Sequence, residues 1–445
     1  MKINYFFKHI LTPLTLIISL WAILYLLKFS KQESVSEHLN IIPNNAKIVV
    51  QIKGNSLAKK TIFEMLFQSK NDSIVNVLKD KLSVEKYEET KLGISYLSNH
   101  YLFESNYKNE TLWGLILPLN ESDDFEKTIK NQTNKSLFAI NQDKNGIILF
   151  SEKLTKTDLK NFYKSKMNKG NDFKFEDNGQ VFQTISKNNI NSKINPFSRA
   201  ISGIALNGKQ IAIDGDFTIA TNFQNDFHVI LNQLENKPDF FHFSYGFFPD
   251  TILYSINNLI KNYELTFPKI HSISMNYNGI EMLESGSYIL PNMELVLNFD
   301  DKFDIQTILS NENLIEKIEG KVVGNTLKIN TKTYFFKQLT ANSIYIGDIK
   351  NPSFKKETTS FVEINGNLSA LLKINGGDIF LSFLNGIPAY KGPKDLFNSI
   401  ENTSILLTKQ GNNAKLNGAI NFKKENYAMD ELMQFILTIQ PLLNM

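Results

Sequence analysis

Val50–Ala58 reads VQIKGNSLA, and Val362–Ala370 reads VEINGNLSA. In each stretch an apolar, β-branched run meets a Gly–Asn break, and small and apolar residues follow. β-Branched residues favour a strand, Gly permits the turn, and Asn or Ser can cap a following helix. Lys47–Ile52 therefore reads as a strand, broken at Gly54 and Asn55. Leu57, Ile62, Leu66 and Phe67 give the helix after it an apolar face. The later copy places a strand at Ser360–Ile364 and a break at Asn365–Gly366–Asn367. A helical run follows, interrupted at Gly376 and Gly377.

The likeness extends outward. Strands are expected at Ile94–Leu97, Tyr101–Glu104 and Leu112–Leu117, then a helix over Asp123–Asn131. After the later copy come strands at Ser404–Lys409 and Ala414–Phe422, and a helix over Ala428–Leu437. A middle pass places strands at Phe240–Gly246, Ser272–Tyr277, Gly286–Ile289 and Met293–Phe299, with helices over Asp250–Asn262 and Phe303–Leu314. The joints LPLNESDDFEKTI, LVLNFDDKFDIQTIL and GAINFKKENYAMDEL share a strand, an Asn, a charged turn and an amphipathic helix. The expected fold class is α+β, made of duplicated strand–helix–antiparallel strands–helix units packed together. Residues 43–170 would form the first unit, 171–350 a middle region and 351–445 the last unit.

Ahead of these units, Ile10–Leu27 is uncharged and apolar on every side (ILTPLTLIISLWAILYLL). At about 1.5 Å per residue it nearly spans a hydrocarbon core of roughly 30 Å. Trp21 and Tyr25 lie where amphipathic aromatics favour the interface. Cleavage after Ser30 would put Lys28 where a signal peptidase wants a small residue, so the segment reads as an uncleaved signal-anchor. Lys2 and Lys8 balance Lys28 and Lys31. The short basic N-terminus favours residues 1–30 as cytoplasmic tail plus transmembrane helix, with 31–42 a polar linker. The expected location is the cytoplasmic membrane, single-pass, with the bulk of the chain outside.

The opening IIPNNAKIVVQIKGNSLAKK resembles the start of uncharacterised bacterial envelope proteins. These are domains of unknown function in which a membrane or lipid anchor precedes an I-P-x-x-A-x-x-V-x-x-I-x-x-x-S-L strand–helix unit. Ile42, Pro43, Ala46, Val49, Ile52, Ser56 and Leu57 carry the pattern. The lipid-bearing Cys of some relatives is absent. The resemblance implies an envelope location and supplies no activity or site residue.

Composition narrows the chemistry. The 445 residues are 42% hydrophobic and 21% charged, enough for a sizeable core. All 48 basic residues except Arg199 are lysine, and the net charge is +3. Arginine is the usual tool for bidentate phosphate and base contacts, so nucleic-acid binding is disfavoured. With no cysteine there are no disulfides, thiolate nucleophiles or Cys-held metals.

Ser56 and Lys59 fit the S-x-x-K nucleophile spacing, but no K-T-G accompanies them. The same spacing recurs at Ser83/Lys86, Ser105/Lys108 and Ser353/Lys356, and helix capping explains Ser56. His9, His38, His100, His228, His242 and His271 never stand in H-x-x-x-H spacing. His242 reads as a strand histidine among aromatics; His–carboxylate partnerships across the fold stay open. Asp300, Asp301 and Asp304, with Asp123 and Asp124, read as helix-capping carboxylates, with calcium as the alternative although no twelve-residue calcium loop is present. Gly203–Gln210 (GIALNGKQ) reads as two strands around an Asn207–Gly208 turn rather than a phosphate loop. Phe240–Phe248 reads as core, with an apolar groove as the alternative, and Tyr427–Leu443 as an amphipathic closing helix.

No catalytic, cofactor-binding or metal residue is assigned. The favoured function is a non-enzymatic binding or scaffolding role in the envelope, with the membrane engaged through residues 10–27. The alternatives are an envelope hydrolase assembled only in three dimensions, and a carrier of lipid or another apolar ligand.

Overall fold

The computed structural model describes residues 39–57, 93–95, 98–130, 136–167, 169–175, 180–187, 197–224, 226–246, 257, 261, 264–282, 289–355, 360–375, 388–423, 428 and 431. The chain divides into two compact units, Met1–Lys187 and Asn188–Met445.

In the first unit β1 (Ile48–Lys53), β2 (Asn99–Tyr107) and β3 (Glu110–Pro118) precede helix α1 (Ser122–Lys130). Next come β4 (Leu137–Gln142), β5 (Asn145–Phe150), α2 (Lys156–Lys166) and β6 (Phe182–Lys187). The strands pair in the order β6–β1–β2–β3–β5–β4, antiparallel throughout. One face buries Val49, Phe103, Ile116, Leu149 and Ile185. On it α2 sets Phe162 edge-on to Tyr107, ring centroids 5.7 Å apart. Thr155 and Asp158 close a capping box at the start of α2, which fixes where that helix begins. On the other face Phe125 of α1 lies over Gly146, where a Cβ would come within 2.6 Å of the ring.

The second unit opens with β7 (Phe197–Asn207), β8 (Gln210–Ile219), β9 (Phe241–Tyr245), β10 (Ile270–Met282) and β11 (Ile289–Phe299). Two short helices follow, α3 (Gln306–Leu309) and α4 (Glu312–Lys317). Then come β12 (Gly320–Val323), β13 (Thr326–Ile329), β14 (Lys332–Thr340), β15 (Ser343–Gly347), β16 (Ser360–Gly366) and β17 (Ile374–Asn375). Helix α5 (Pro388–Ser399) leads into β18 (Ile400–Gln410) and β19 (Asn413–Phe422). The strand order is β7–β8–β19–β18–β16–β9–β10–β11–β15–β14–β13–β12, all antiparallel. β17 adds a short parallel pairing to β10. At the β11–β14 end α3 and its flanks bury Phe303, Ile305, Ile308 and Leu309 with Leu297, Phe336 and Ile344.

The expected α+β class, with duplicated strand–helix–antiparallel strands–helix units, is corrected: the described residues are mainly antiparallel sheet. The sequence underestimates strand: β6 is not expected from it, and two longer stretches are missed as well. β4–β5 and β12–β15 carry no clear local announcement, because some of their turns lack the usual signal. Asp143–Lys144 closes β4–β5 with both residues at positive φ (48° and 61°), a conformation usually marked by Asn or Gly. The helix expected over Phe303–Leu314 breaks into α3 and α4, with Asn311 capping the second through Leu314 N. At the two quoted corners the strands do form, each between two antiparallel neighbours: β1 between β6 and β2, β16 between β9 and β18. A helical turn begins at Gly54 after the first, and a 3-10 turn capped by Asn367 follows the second.

The expected membrane span Ile10–Leu27 lies outside the described residues, as do the helices expected over Asp250–Asn262 and Ala428–Leu437 for most of their length. Among the described residues no helix is long and apolar enough to cross a membrane.

Candidate functional site: the two faces of the second sheet

The centre of the second unit reverses the usual arrangement of a sheet. β10 alternates as HSISMNY from His271 to Tyr277. Alternate residues of a strand point to opposite faces. Ser272, Ser274 and Asn276 share one face with His242, Ser244, Glu294, Asn298 and Glu363. All of these polar side chains are buried. Ile273 and Met275 share the other face with Phe243, Leu295 and Ile364, and these are only partly buried. The polar side is therefore the closed one.

It is closed by an irregular strap, residues 228–236. Buried irregular backbone needs partners for its N–H and C=O groups, because no ladder supplies them. The sheet side chains provide them. Ser272 Oγ accepts from Leu231 N at 3.3 Å, and Ser274 Oγ accepts from Leu234 N at 3.0 Å. Asn298 Nδ2 donates to Leu231 O at 2.8 Å, and Asn276 Nδ2 to Glu235 O at 2.9 Å. On its outer edge the strap pairs with residues 353–355 through Glu235 N→Ser353 O and Lys355 N→Gln233 O.

A connected polar network fills the space beneath. Gln233 Nε2 donates to Glu363 Oε2 at 2.7 Å and lies 3.2 Å from His242 Nε2. Asn276 uses its amide N–H groups on Glu235 O and on Glu294 Oε2, the latter at 3.0 Å. Its Oδ1 therefore faces His242 Nδ1 at 2.7 Å and must accept, which fixes the Nδ1–H tautomer. Burial pushes the His242 imidazole below its ordinary range, against the opposing Asn276 hydrogen bond. Burial raises the Glu363 carboxyl, but hydrogen bonds from Lys355 and Gln233 outweigh it, and the net shift is downward. Lys355 and Lys237 reach in from the rim to Glu363 and Glu294, each at 2.5 Å. His242 is thus a neutral structural group held by strap and sheet.

On the opposite face the register aligns one apolar row across seven strands: Ile204, Ile213, Gly418, Ile405, Ile364, Phe243 and Met275. Gly418 leaves a gap in the row; each of the other six side chains is partly or well exposed, and Ile204 is 37% exposed. The first unit carries a smaller feature, a depression of about 560 Å³. The cross-strand row Trp113–Phe150–Leu137 lines it, and a Lys153–Glu110 ion pair at 3.1 Å stands at its edge.

The remaining candidates are placed as follows. Ser56 lies in the helical turn after β1, and Lys59 lies outside the described residues. Ser105 is buried in β2, while Lys108 sits in the β2–β3 turn and pairs with Asp158 at 2.6 Å. Ser353 serves the strap through its carbonyl. Ser83, Lys86, Lys356, His9 and His38 lie outside the described residues. Asp123 and Asp124 occupy the first turn of α1, and Asp304 Oδ1 accepts from Gln306 N at 2.9 Å. Gly203–Gln210 forms the β7–β8 hairpin. His100 lies in β2. His228, His271 and Asp300 come together, which no spacing in the sequence announces. Nor does any spacing mark Gln233, Asn276, Asn298 and Glu363 as a set; the alternation in HSISMNY is the available signal, but it does not say which parity is covered.

No family model matches the chain, and no curated protein matches it. A solved structure of TP0453, crystal form IV, is similar over 44% of this chain and 87% of its own, at 6% identity and a TM-score of 0.24.

Proposed function

We propose that the protein is a single-pass, membrane-anchored envelope protein with a non-enzymatic binding role, and that the apolar row from Ile204 to Met275 receives an extended apolar ligand such as an acyl chain. Ile10–Leu27 is the anchor, and the bulk of the chain lies outside the cytoplasmic membrane. The observation that carries the reading is the reversed sheet. Polar side chains are sealed beneath the strap while an apolar strip stays partly open. Seven strands at about 4.8 Å spacing make that strip roughly 29 Å long and about one side chain wide. This suits a chain-like ligand taken from a neighbouring bilayer.

The absence of native cysteine makes the test direct. Met275→Cys and the adjacent Ser274→Cys are made separately in the full-length protein and exposed to a maleimide. Labelling at position 275, slowed by added oleate, and resistance at position 274 are expected. Equal resistance at both positions would make the apolar face ordinary core and end the proposal, as would labelling at 275 that ignores oleate. Protease accessibility in spheroplasts tests the orientation: digestion beyond residue 30 is expected, and complete protection until lysis refutes it.

A further inference from the structure

We propose that His228, His271 and Asp300 form a divalent-metal site, of the class that takes zinc, which clasps the strap to the sheet. The site is independent of the apolar face. One potential ligand atom from each of the three residues falls within 4.8 Å of the others. His271 Nδ1 stands 3.1 Å from Asp300 Oδ1. Two ligands on a tetrahedral zinc, at bonds of about 2.0–2.1 Å, are separated by roughly 3.3 Å, so this edge is already near the required length. The His228 and His271 rings lie 4.2 Å apart at 31°. Nε2 of His228 is buried and meets no hydrogen-bond partner among the described residues.

The three residues come from separate segments whose backbones are fixed. His228 begins the strap and donates from its backbone N to Gly246 O at 2.8 Å. Gly246 permits that approach, since a Cβ there would lie 2.1 Å from His228 O. His271 is near the start of β10, and Asp300 follows β11 with its N bonded to Lys269 O at 2.9 Å. Side-chain movement alone can therefore close the set. Asp300 is exposed, which leaves the remaining coordination position to water. Two imidazoles and a carboxylate suit zinc and its first-row neighbours. Beside the cluster Lys269 and Asp226 approach to 3.6 Å. The carboxylates of Asp300 and Asp226 outnumber the Lys269 ammonium here, which favours a cation. Such an ion would tie the first residue of the strap to β10 and to the end of β11, on the sheet that the strap covers.

The test uses the full-length protein, stripped with a chelator and titrated with Co²⁺ as a visible probe, then with Zn²⁺. One equivalent of Co²⁺ with shifted d–d bands, displaced by zinc, is expected. Even outer partners of a metal ligand are worth 10–100-fold in affinity, so Asp300→Asn and His271→Gln should each cost about 100-fold. Asp301→Asn, next door and exposed, should leave affinity unchanged. Zinc should also slow hydrogen exchange at the Leu231 and Leu234 amides, which are held by Ser272 and Ser274. Absence of a band shift at stoichiometric metal overturns the site, as does equal affinity in the Asp300 and Asp301 variants. Tight binding with unchanged strap exchange overturns the clasp.

Discussion

Acidification should loosen the second unit through His242. The imidazole is fully buried, and burial holds it below its ordinary value of 6.5. In the unfolded chain it titrates near 6.5. A base whose folded value is depressed stays neutral in the native state while the unfolded chain takes up a proton, so stability falls as pH drops below 6.5. Its Nδ1–H already serves Asn276, and Nε2 faces the Gln233 amide at 3.2 Å and the Ser244 hydroxyl at 2.9 Å, so a second proton would be held in a buried site with no carboxylate in direct contact. Linkage caps the loss between roughly pH 7.5 and pH 5.5 at about 1.4 kcal/mol, the figure for an imidazole that takes up no proton in the folded state. His228, also lowered by burial, adds in the same direction. Glu363 is depressed from 4.5, so its contribution is complete above that value and flat across this window. Asp348, raised by burial, acts in the opposite sense and is common to any His242 variant. His242→Asn retains a donor toward Asn276 and removes the titration. Opening free energies of β9 and β10 amides, from hydrogen exchange corrected for intrinsic rates, should fall more in the parent than in the variant over this window, by up to about 1.4 kcal/mol. An equal pH response in the two proteins would refute the assignment of His242 as a sealed neutral group.

Three further outcomes follow from the same contacts. Lys355→Met strands the Glu363 carboxylate and should cost about 2–4 kcal/mol, while adding Glu363→Gln should recover much of it in a double-mutant cycle. Asn298→Ala removes the partner of Leu231 O and Ser272 Oγ; a loss of about 2–4 kcal/mol is expected, with faster exchange confined first to the strap, and uniform loosening of all strands would contradict it. Thr155→Ala opens the capping box of α2 and should cost about 1 kcal/mol, measured as a drop in the unfolding midpoint of the first unit.

Several strands are legible because their residues carry a local signal. β2, β3, β9, β18 and β19 combine β-branched or aromatic residues with alternation, and each lies within a few residues of its expected place. The turn at Gly411 between β18 and β19 has positive φ at glycine, as such turns prefer. The extra hairpins are not legible, because a positive-φ turn at Asp143–Lys144 is imposed by the pairing of β4 with β5 and not advertised by residue type. The strap is not legible either, since residues 228–236 have no period of their own.

The sequence by itself determined some of the strands, among them β2, β3, β9, β18 and β19, together with the breaks after β1 and β16, the lack of cysteine chemistry and the uncharged apolar run Ile10–Leu27. Tertiary structure alone decided which face of β10 is covered. Alternation divides HSISMNY into two faces, but burial depends on what is laid over them. The strap's unpaired backbone groups need polar partners, so the Ser–Ser–Asn face is the one it can cover and the apolar face is left partly open. The meeting of His228, His271 and Asp300 has the same origin, because only strand pairing and the docked strap bring three distant segments to one place.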